Sequence, residues 1–191
     1  MKFKELVESI SAHISLSAVE YETLLQFFVY KKVSKNEMLM QEGDVCRYGV
    51  FVLNGCISYY ALDKNGDENV VDLGTKGWWM GDAASYWQEV PTAYNLKAIT
   101  ESEVLLIDKK ATERAFSDIP GYLRYHFFML LAYRDRTDHL LQESLHERAE
   151  NKYKVLMTTR PEIFQLASLA DIASFIGVTP QSLSRLRHNM H

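Results

Sequence analysis

Cysteine is scarce in this chain, with only Cys46 and Cys56 among 191 residues. Two thiols cannot alone supply the four thiolate ligands of an iron–sulfur cluster, and no histidine cluster accompanies them. A structural disulfide would be unusual in the cytosol, where we expect this protein to work. We therefore predict that both cysteines are buried, unreactive thiols.

Histidine is missing from the middle of the chain, since none of the six lies between Val29 and Ile107. A metal-dependent enzyme built on a small β-barrel would need imidazole ligands there. The chain also lacks a G-x-S-x-G motif, a phosphate-binding P-loop and a dinucleotide fingerprint. We expect no catalytic residues, no metal site and no enzymatic activity.

Long apolar runs are absent too, and no stretch reaches the length needed to cross a bilayer. The N-terminus, Met-Lys-Phe-Lys-Glu, is too charged for a signal peptide. We expect a cytoplasmic protein with no membrane partner.

The net charge is −4, but residues 1–145 hold 15 basic and 21 acidic side chains, whereas residues 146–191 hold 6 basic and 4 acidic ones. The excess of positive charge lies at the C-terminal end.

A hydrophobic content of 47% is enough for one sizeable domain and a smaller one. The spacing of apolar residues predicts two helices within residues 2–28. Seven short segments then show β patterning, separated by turn residues: 28–33, 37–40, 48–53, 56–62, 69–73, 94–98 and 104–107. Asn54-Gly55 is a favoured type I′ hairpin pair. Strands at this spacing predict a sandwich or barrel.

The β pattern breaks at residues 81–87, which could form a short helix beside Gly81. A helix start beside a glycine at the mouth of a barrel can bind an anion or ligand, and it can equally be a corner with no ligand. Five aromatic residues, Trp78, Trp79, Tyr86, Trp87 and Tyr94, gather around this segment. They could line a pocket or fill it, and we favour a self-filled aromatic core.

The longest helical pattern runs from Pro120-Gly121 to about Glu143. One stripe follows the alternating four-three spacing of a coiled-coil seam, with other apolar residues alongside it. The stripe comprises Leu123, Phe127, Leu130, Arg134, Thr137 and Leu141. A helix with two apolar faces could pack on the barrel and on a second copy, or simply be buried in its own core. We favour a symmetric dimer.

Residues 168–191 carry the most specific pattern, that of a helix-turn-helix. Ser168 and Asp171 form a capping box, and Gly177 suits the end of a first helix. After a three-residue turn, Thr179 is a good N-cap and Pro180 a good first helical residue. Residues 146–160 are predicted to form a separate amphipathic helix that supports the helix-turn-helix.

The second of these helices presents polar side chains opposite its apolar stripe, and no acidic residue follows Asp171. Glutamine can bond adenine and arginine can bond guanine in the major groove, which admits an α-helix. The candidate DNA-binding residues are Thr179, Gln181, Ser182, Ser184, Arg185, Arg187 and His188. The alternative is a helical hairpin whose polar residues only face water.

With barrel, long helix and helix-turn-helix in this order, the chain resembles the cyclic-AMP receptor protein/FNR (Crp/Fnr) family of bacterial transcription regulators. The matching pieces are Glu42-Gly43-Asp44, Leu53-Asn54-Gly55, residues 77–82, Lys97-Ala98-Ile99-Thr100, Ile172-Ala173, Gly177-Val178-Thr179 and Ser184-Arg185.

The resemblance implies an α+β fold. N-terminal helices and an antiparallel jelly-roll (double-stranded β-helix) sensor barrel would occupy residues 1–118, a dimerisation helix residues 119–145, and an all-α DNA-binding domain residues 146–191. Double-stranded DNA, a second copy of the chain and RNA polymerase are the implied partners.

The chain departs from this family at the effector site. In members that bind cyclic nucleotides, a Gly-Glu pair holds the ribose and an arginine eleven residues after the glycine holds the phosphate. Here those positions are Gly81-Asp82 and Thr92. We expect that cyclic AMP is not the effector, because a buried phosphate would lack its guanidinium partner. The candidate pocket for an unknown small molecule comprises Trp79, Gly81, Asp82, Ala83, Thr92 and Ala93.

Two further departures concern the ends of the chain. The family's β-hairpin wing normally follows the recognition helix, and with His191 as the last residue we expect a wingless DNA-binding domain. The N-terminal cysteine cluster of iron–sulfur members is missing, so we expect no such cofactor. The alternative function is an effector-sensing or protein-interaction module that does not bind DNA. Substitution of Arg185 would leave such a module largely intact.

Overall fold

The computed structural model describes residues 3–146 and 149–189, with side chains described for 3–134 and 149–189. The helices are α1 (Lys4–Ser11), α2 (Ala18–Leu25), α3 (Ala83–Gln88), α4 (Lys109–Asp118), α5 (Pro120–His146), α6 (Ala149–Thr159), α7 (Ile163–Leu166), α8 (Leu169–Ile176) and α9 (Pro180–Asn189). The strands are β1 (Val29–Val33), β2 (Met38–Met40), β3 (Tyr48–Asn54), β4 (Ile57–Leu62), β5 (Glu68–Gly74), β6 (Trp79–Met80), β7 (Asn95–Ala98) and β8 (Ser102–Asp108).

The strands form two four-stranded antiparallel sheets that face each other as a jelly roll. The strand order is β1-β8-β3-β6 in the first sheet and β2-β7-β4-β5 in the second. Val50, at the middle of β3, lies opposite Leu106 on one side and Met80 on the other. The predicted α+β fold, with N-terminal helices, a jelly-roll barrel and later helices, is confirmed.

The prediction of a β-hairpin at Asn54-Gly55 is wrong. Gly55 does adopt a positive φ of 88°, as the local sequence suggests. However, β3 pairs with β8 and β6, and β4 pairs with β5 and β7, so the two flanking strands lie in different sheets. The turn is therefore a corner between the two sheets. A distant part of the chain supports it, because the amide of Cys56 donates to Oγ1 of Thr100, 44 residues away between β7 and β8.

Three apolar clusters hold the chain together. The first fills the space between the sheets and includes Val50, Met80 and Leu106. The second lies between the first sheet and helices α1, α2, α4 and α5. The third joins the second sheet to helices α6 to α9, with Tyr60 and Leu73 of the barrel packed among Ile163, Ile172 and Leu183. The C-terminal helices thus share a core with the barrel.

Most predicted elements form within a few residues of their expected bounds. The sequence pattern does not predict β6, α4 or α7. Strand β6 and helix α7 are only two and four residues long, and α4 follows the last strand of the barrel directly, within residues 1–118. Among the described residues, no helix is both long and apolar enough to span a membrane.

Candidate nucleic-acid interface and effector pocket

Helix α8 begins and ends through local contacts of its own sequence. The Ser168 hydroxyl accepts from the amide of Asp171, and the Asp171 carboxylate accepts from the amide of Ser168. At the other end Gly177 has φ 85°, and its amide donates to the carbonyl of Ala173. A residue in the left-handed conformation ends a helix at once, so the chain turns sharply at Gly177.

Helix α9 starts three residues later and is anchored by one side chain. Thr179 Oγ1 accepts from the amide of Ser182, which caps the helix as predicted. Leu183 is fully buried against α8. All seven candidate DNA-binding side chains are exposed: Thr179, Gln181, Ser182, Ser184, Arg185, Arg187 and His188. The structure thus places Thr179 at the start of α9 and the other six residues along that helix.

The helix-turn-helix is docked on the barrel through the edge strand β5. The amide of Val70 donates to Ser174 Oγ at 2.9 Å, and that hydroxyl donates to the carbonyl of Glu68 at 3.0 Å. An edge strand has backbone groups with no strand partner, and here a side chain of α8 satisfies two of them. This contact spans more than 100 residues of sequence.

A buried ion pair adds to the docking. Arg160, at the end of α6, donates from Nη1 to Asp72 Oδ1 of β5 at 3.1 Å, and the two residues are only 8% and 6% exposed. The guanidinium also stacks 3.6 Å from the ring centre of Trp78. The sequence alone does not reveal this contact, because nothing local connects positions 88 residues apart.

The effector positions carried over from the resemblance form a closed hydrogen-bond set. Asp82 caps α3, accepting from the amides of Ala84 and Ser85. Its other oxygen accepts from the hydroxyl of the buried Thr92 at 2.7 Å. The residue that stands in place of the phosphate-binding arginine therefore bonds to the residue that stands in place of the ribose-binding glutamate.

The interior of the barrel beside this pair is occupied by aromatic side chains. The rings of Tyr59 and Tyr94 lie 4.7 Å apart, and Tyr86 is buried in the same cluster. Burial raises the pKa of the Tyr59 hydroxyl well above its usual range. These rings fill the space beside Asp82 and Thr92. Of the five aromatic residues singled out in the sequence, however, Trp79, Tyr86 and Trp87 line a cavity.

The six candidate pocket residues separate into two groups. Thr92 and Ala93 belong to the loop beside β7, and Ala93 is exposed. Trp79 lies in the second core, where its Nε1 donates to the Tyr125 hydroxyl at 2.9 Å. Together with Gly81, Asp82 and Ala83, Trp79 lines a cavity of about 100 Å³ between β6, α3 and α5. Lys97 does not line this cavity, and its side chain pairs with Glu68.

Helix α5 buries one face and exposes another. Tyr122 and Tyr125 are buried in the second core, whereas Leu123, Phe127 and Leu130 are 52%, 56% and 40% exposed. Arg134, the next residue of the predicted seam, is also exposed. The side chains of Thr137 and Leu141 lie outside the described part of the structure. The first half of the helix thus has the two apolar faces that the sequence predicts.

Neither cysteine is oxidised or exposed. Cys46 and Cys56 are free and buried, and burial raises the pKa of the Cys56 thiol to about 12. Within the described residues, no three histidine, cysteine, aspartate or glutamate side chains are grouped so that they could hold a metal ion.

Residues 30–118 match the family model of the cyclic nucleotide-binding domain, and no curated protein matches the chain. Several solved structures share its fold. FixK2 from Bradyrhizobium japonicum is 17% identical, with a TM-score of 0.74 over 86% of this chain and 84% of that one. The c-di-GMP responsive global regulator CLP of Xanthomonas campestris is 15% identical, with a TM-score of 0.70 over 91% of each. The catabolite activator protein of Thermus thermophilus is 19% identical, with a TM-score of 0.58 over 92% and 84%.

Proposed function

We propose that this chain, which joins a cyclic nucleotide-binding domain to a helix-turn-helix in the fold of the Crp/Fnr regulators, is a dimeric DNA-binding transcription regulator that does not respond to cyclic AMP. One observation carries the proposal: helix α9 is anchored by Leu183, and all seven candidate DNA-binding side chains, from the N-cap Thr179 to His188 in its last turn, are exposed. A helix that reads the major groove needs exposed polar side chains that can contact the edges of the bases.

Individual roles follow from side-chain chemistry. Gln181 and Arg185 are one helical turn apart and exposed, so both can reach base edges from the same groove. Arg187 lies toward the flank of the helix, where a phosphate contact fits. With Arg187 and His188 in its last turn and no acidic side chain anywhere in it, α9 favours an approach to the DNA backbone.

The dimer would form along α5. Three large apolar side chains, Leu123, Phe127 and Leu130, are exposed at four- and three-residue spacing, and exposed apolar patches of this kind mark protein interfaces. A two-fold axis along this stripe would pair two α9 helices for half-sites about 34 Å apart on DNA. We assign residues 1–118 to the sensor barrel, 119–145 to the dimer helix and 146–191 to DNA binding.

Cyclic AMP is disfavoured by two features of the barrel. Thr92 offers only a hydroxyl to a phosphate, and that hydroxyl donates to Asp82, whose carboxylate would repel an anion. Tyr59 and Tyr94 fill the adjacent interior. A bound cyclic phosphate would therefore have no positive partner among these residues.

The proposal is tested by selecting random duplex DNA on the purified protein at near-physiological salt, where nonspecific binding is weak. We expect recovery of an inverted repeat with half-sites one helical turn apart. Arg185→Ala should relax preference at one base position, by about 1–3 kcal/mol, while Lys64→Ala in the exposed β4–β5 turn should change nothing. If the parent protein selects no sequence, then either an effector is missing from the assay or the chain is an effector-sensing or protein-interaction module that does not bind DNA.

A further inference from the structure

The barrel lies between the two helices on which DNA reading by a dimer would depend. Helix α5 packs on the first sheet through the second apolar cluster, and helices α8 and α9 pack on the second sheet through the third. In the third cluster Leu183 of α9 lies among Ile172 and Ile176 of α8, so these two helices share one buried core. The position of α9 relative to α5 therefore depends on how α8 is attached to the second sheet.

One hydroxyl group of α8 bonds to the backbone of strand β5 at two points. Ser174 Oγ accepts from the amide of Val70 at 2.9 Å and donates to the carbonyl of Glu68 at 3.0 Å. These backbone groups face outward, because β5 is the edge strand of its sheet and has only β4 beside it. A hydroxyl can donate one hydrogen bond and accept others, and Ser174 does both. Bonds to two residues two positions apart fix α8 along the strand as well as against it.

Ser174 lies at the end of α8 from which α9 departs. The amide of Gly177, which ends α8, donates to the carbonyl of Ser174 at 3.0 Å. Lys152 of α6 donates to the carbonyl of Ile176 at 3.4 Å, beside the same turn. The attachment of α8 to β5 is therefore made within one helical turn of the residue that sets the direction of α9.

A second group of contacts holds the segment before α8. Arg160 pairs with Asp72 of β5, and Glu162 Oε1 accepts from the hydroxyl of Thr75 at 2.8 Å. Thr75 directly follows β5 and is only 1% exposed. These contacts attach α6 and α7 to the barrel, and the bonds of Ser174 extend the attachment to α8.

We propose that Ser174 is a positioning residue for DNA reading, which holds α9 at a fixed angle to α5 by bonding to β5 and so sets the half-site spacing that a dimer reads. A change in this angle would move the reading side chains along the DNA, because each half-site is read by one helix lying in the major groove. The effect on half-site spacing rests on the proposed function, whereas the fixed angle itself does not.

Removing the hydroxyl should loosen this angle without unfolding α8. One neutral hydrogen bond changes an equilibrium by a factor of about two to ten, so the loss of both should raise the detached population of α8 roughly four- to a hundredfold. The caps of α8 at Ser168 and Gly177 do not involve the Ser174 side chain. The apolar contacts of the third cluster also remain.

Residual dipolar couplings of the backbone amides, measured on weakly aligned purified protein, report on the angle without DNA. In the parent protein the amides of the barrel and of α8 and α9 should fit one alignment tensor. In Ser174→Ala the amides of α8 and α9 should require a separate, smaller tensor, and the Val70 amide should exchange with solvent roughly fourfold faster or more. Ser174→Thr keeps a hydroxyl and should behave as the parent does. Thr158→Ala, which removes an exposed hydroxyl bonded within α6, should change neither result.

Operators that differ only in the distance between their half-sites test the effect on DNA reading. Two base pairs inserted between the half-sites turn one of them by roughly 70° about the DNA axis. The parent protein should bind the selected inverted repeat at least about tenfold more tightly than the lengthened one, because the second half-site is then misread. Ser174→Ala should narrow that ratio roughly threefold or more, while Ser174→Thr should preserve it. A merely structural loss would weaken binding to both operators equally.

Three results would each overturn the proposal: a single alignment tensor in Ser174→Ala, a spacing preference in Ser174→Ala equal to that of the parent, or a Ser174→Thr protein that behaves like Ser174→Ala. Failure of the proposed function is seen separately, since the parent protein would then select no DNA. The dipolar couplings would still decide whether Ser174 fixes the angle of α9.

Discussion

Replacing Asp72 by asparagine tests how the C-terminal helices are attached to the barrel. The change keeps the size of the side chain but removes the negative charge beside the buried guanidinium of Arg160, 3.1 Å away. Arg160 would then hold an uncompensated charge at a position only 8% exposed. Breaking one partner of a buried pair typically costs 3–5 kcal/mol, because the remaining ion has lost both water and counter-charge.

We expect Asp72→Asn to lower the free energy of unfolding by about 4 kcal/mol. For a chain of this size each kcal/mol shifts Tm by about 2–4 °C, so Tm should fall by roughly 8–16 °C. Urea unfolding followed by circular dichroism gives the free energy. Intrinsic tryptophan fluorescence, to which the Trp78 ring stacked against Arg160 contributes, follows the same transition. Asp67→Ala, in an exposed turn, should stay within about 0.5 kcal/mol of the parent protein.

A double variant distinguishes the buried charge from a general loss of packing. Arg160→Met in the Asp72→Asn background removes the unpaired guanidinium and keeps an apolar side chain on Trp78. The double variant should therefore be more stable than Asp72→Asn alone. A loss below about 1 kcal/mol in Asp72→Asn, or a double variant less stable than the single one, would refute the argument, because Arg160 would then have reached water.

Three further measurements check other parts of the structure. Phe127→Glu places a charge in the exposed α5 stripe, so it should reduce the mass measured by analytical ultracentrifugation to that of one chain. Val155→Glu, at a similarly exposed position of α6, should not change the mass. A Phe127→Glu protein that stays dimeric would place the interface elsewhere. Native protein at pH 8 should react with no equivalent of a thiol-specific disulfide reagent, and unfolded protein with two, since burial raises the pKa of both Cys46 and Cys56; rapid labelling of the native protein would show an accessible thiol. Ser174→Ala should cost about 1–2 kcal/mol of unfolding free energy, because it removes the partner of the Val70 amide on β5, and an unchanged urea midpoint would mean that water replaces the hydroxyl.

The helix-turn-helix could be predicted closely because its signals are local. Ser168 and Asp171 are three residues apart and bond to each other, and Gly177 takes the positive φ that its lack of a side chain permits. The exposed stripe of α5 follows in the same way from a repeat along one helix.

The pairing of the strands could be predicted less well from the sequence than the helix-turn-helix. Gly55 has the positive φ that its sequence favours, yet Asn54-Gly55 joins two different sheets. Strand β3 pairs with β8, 49–60 residues away, and β4 pairs with β7, 35–41 residues away. Strand β6, only two residues long, is defined by its pairing with β3 rather than by a pattern of its own.

By itself, the sequence determined the caps, the turn and the polar outer face of α9, and the apolar seam of α5, because each depends on residues within a few positions of one another. Only the tertiary structure decided that Arg160 meets Asp72, that Thr92 bonds to Asp82, and that His126 Nε2 is buried with no hydrogen-bond partner in the described part of the chain. These contacts depend on how the elements pack, since burial and pairing arise when distant segments exclude water together.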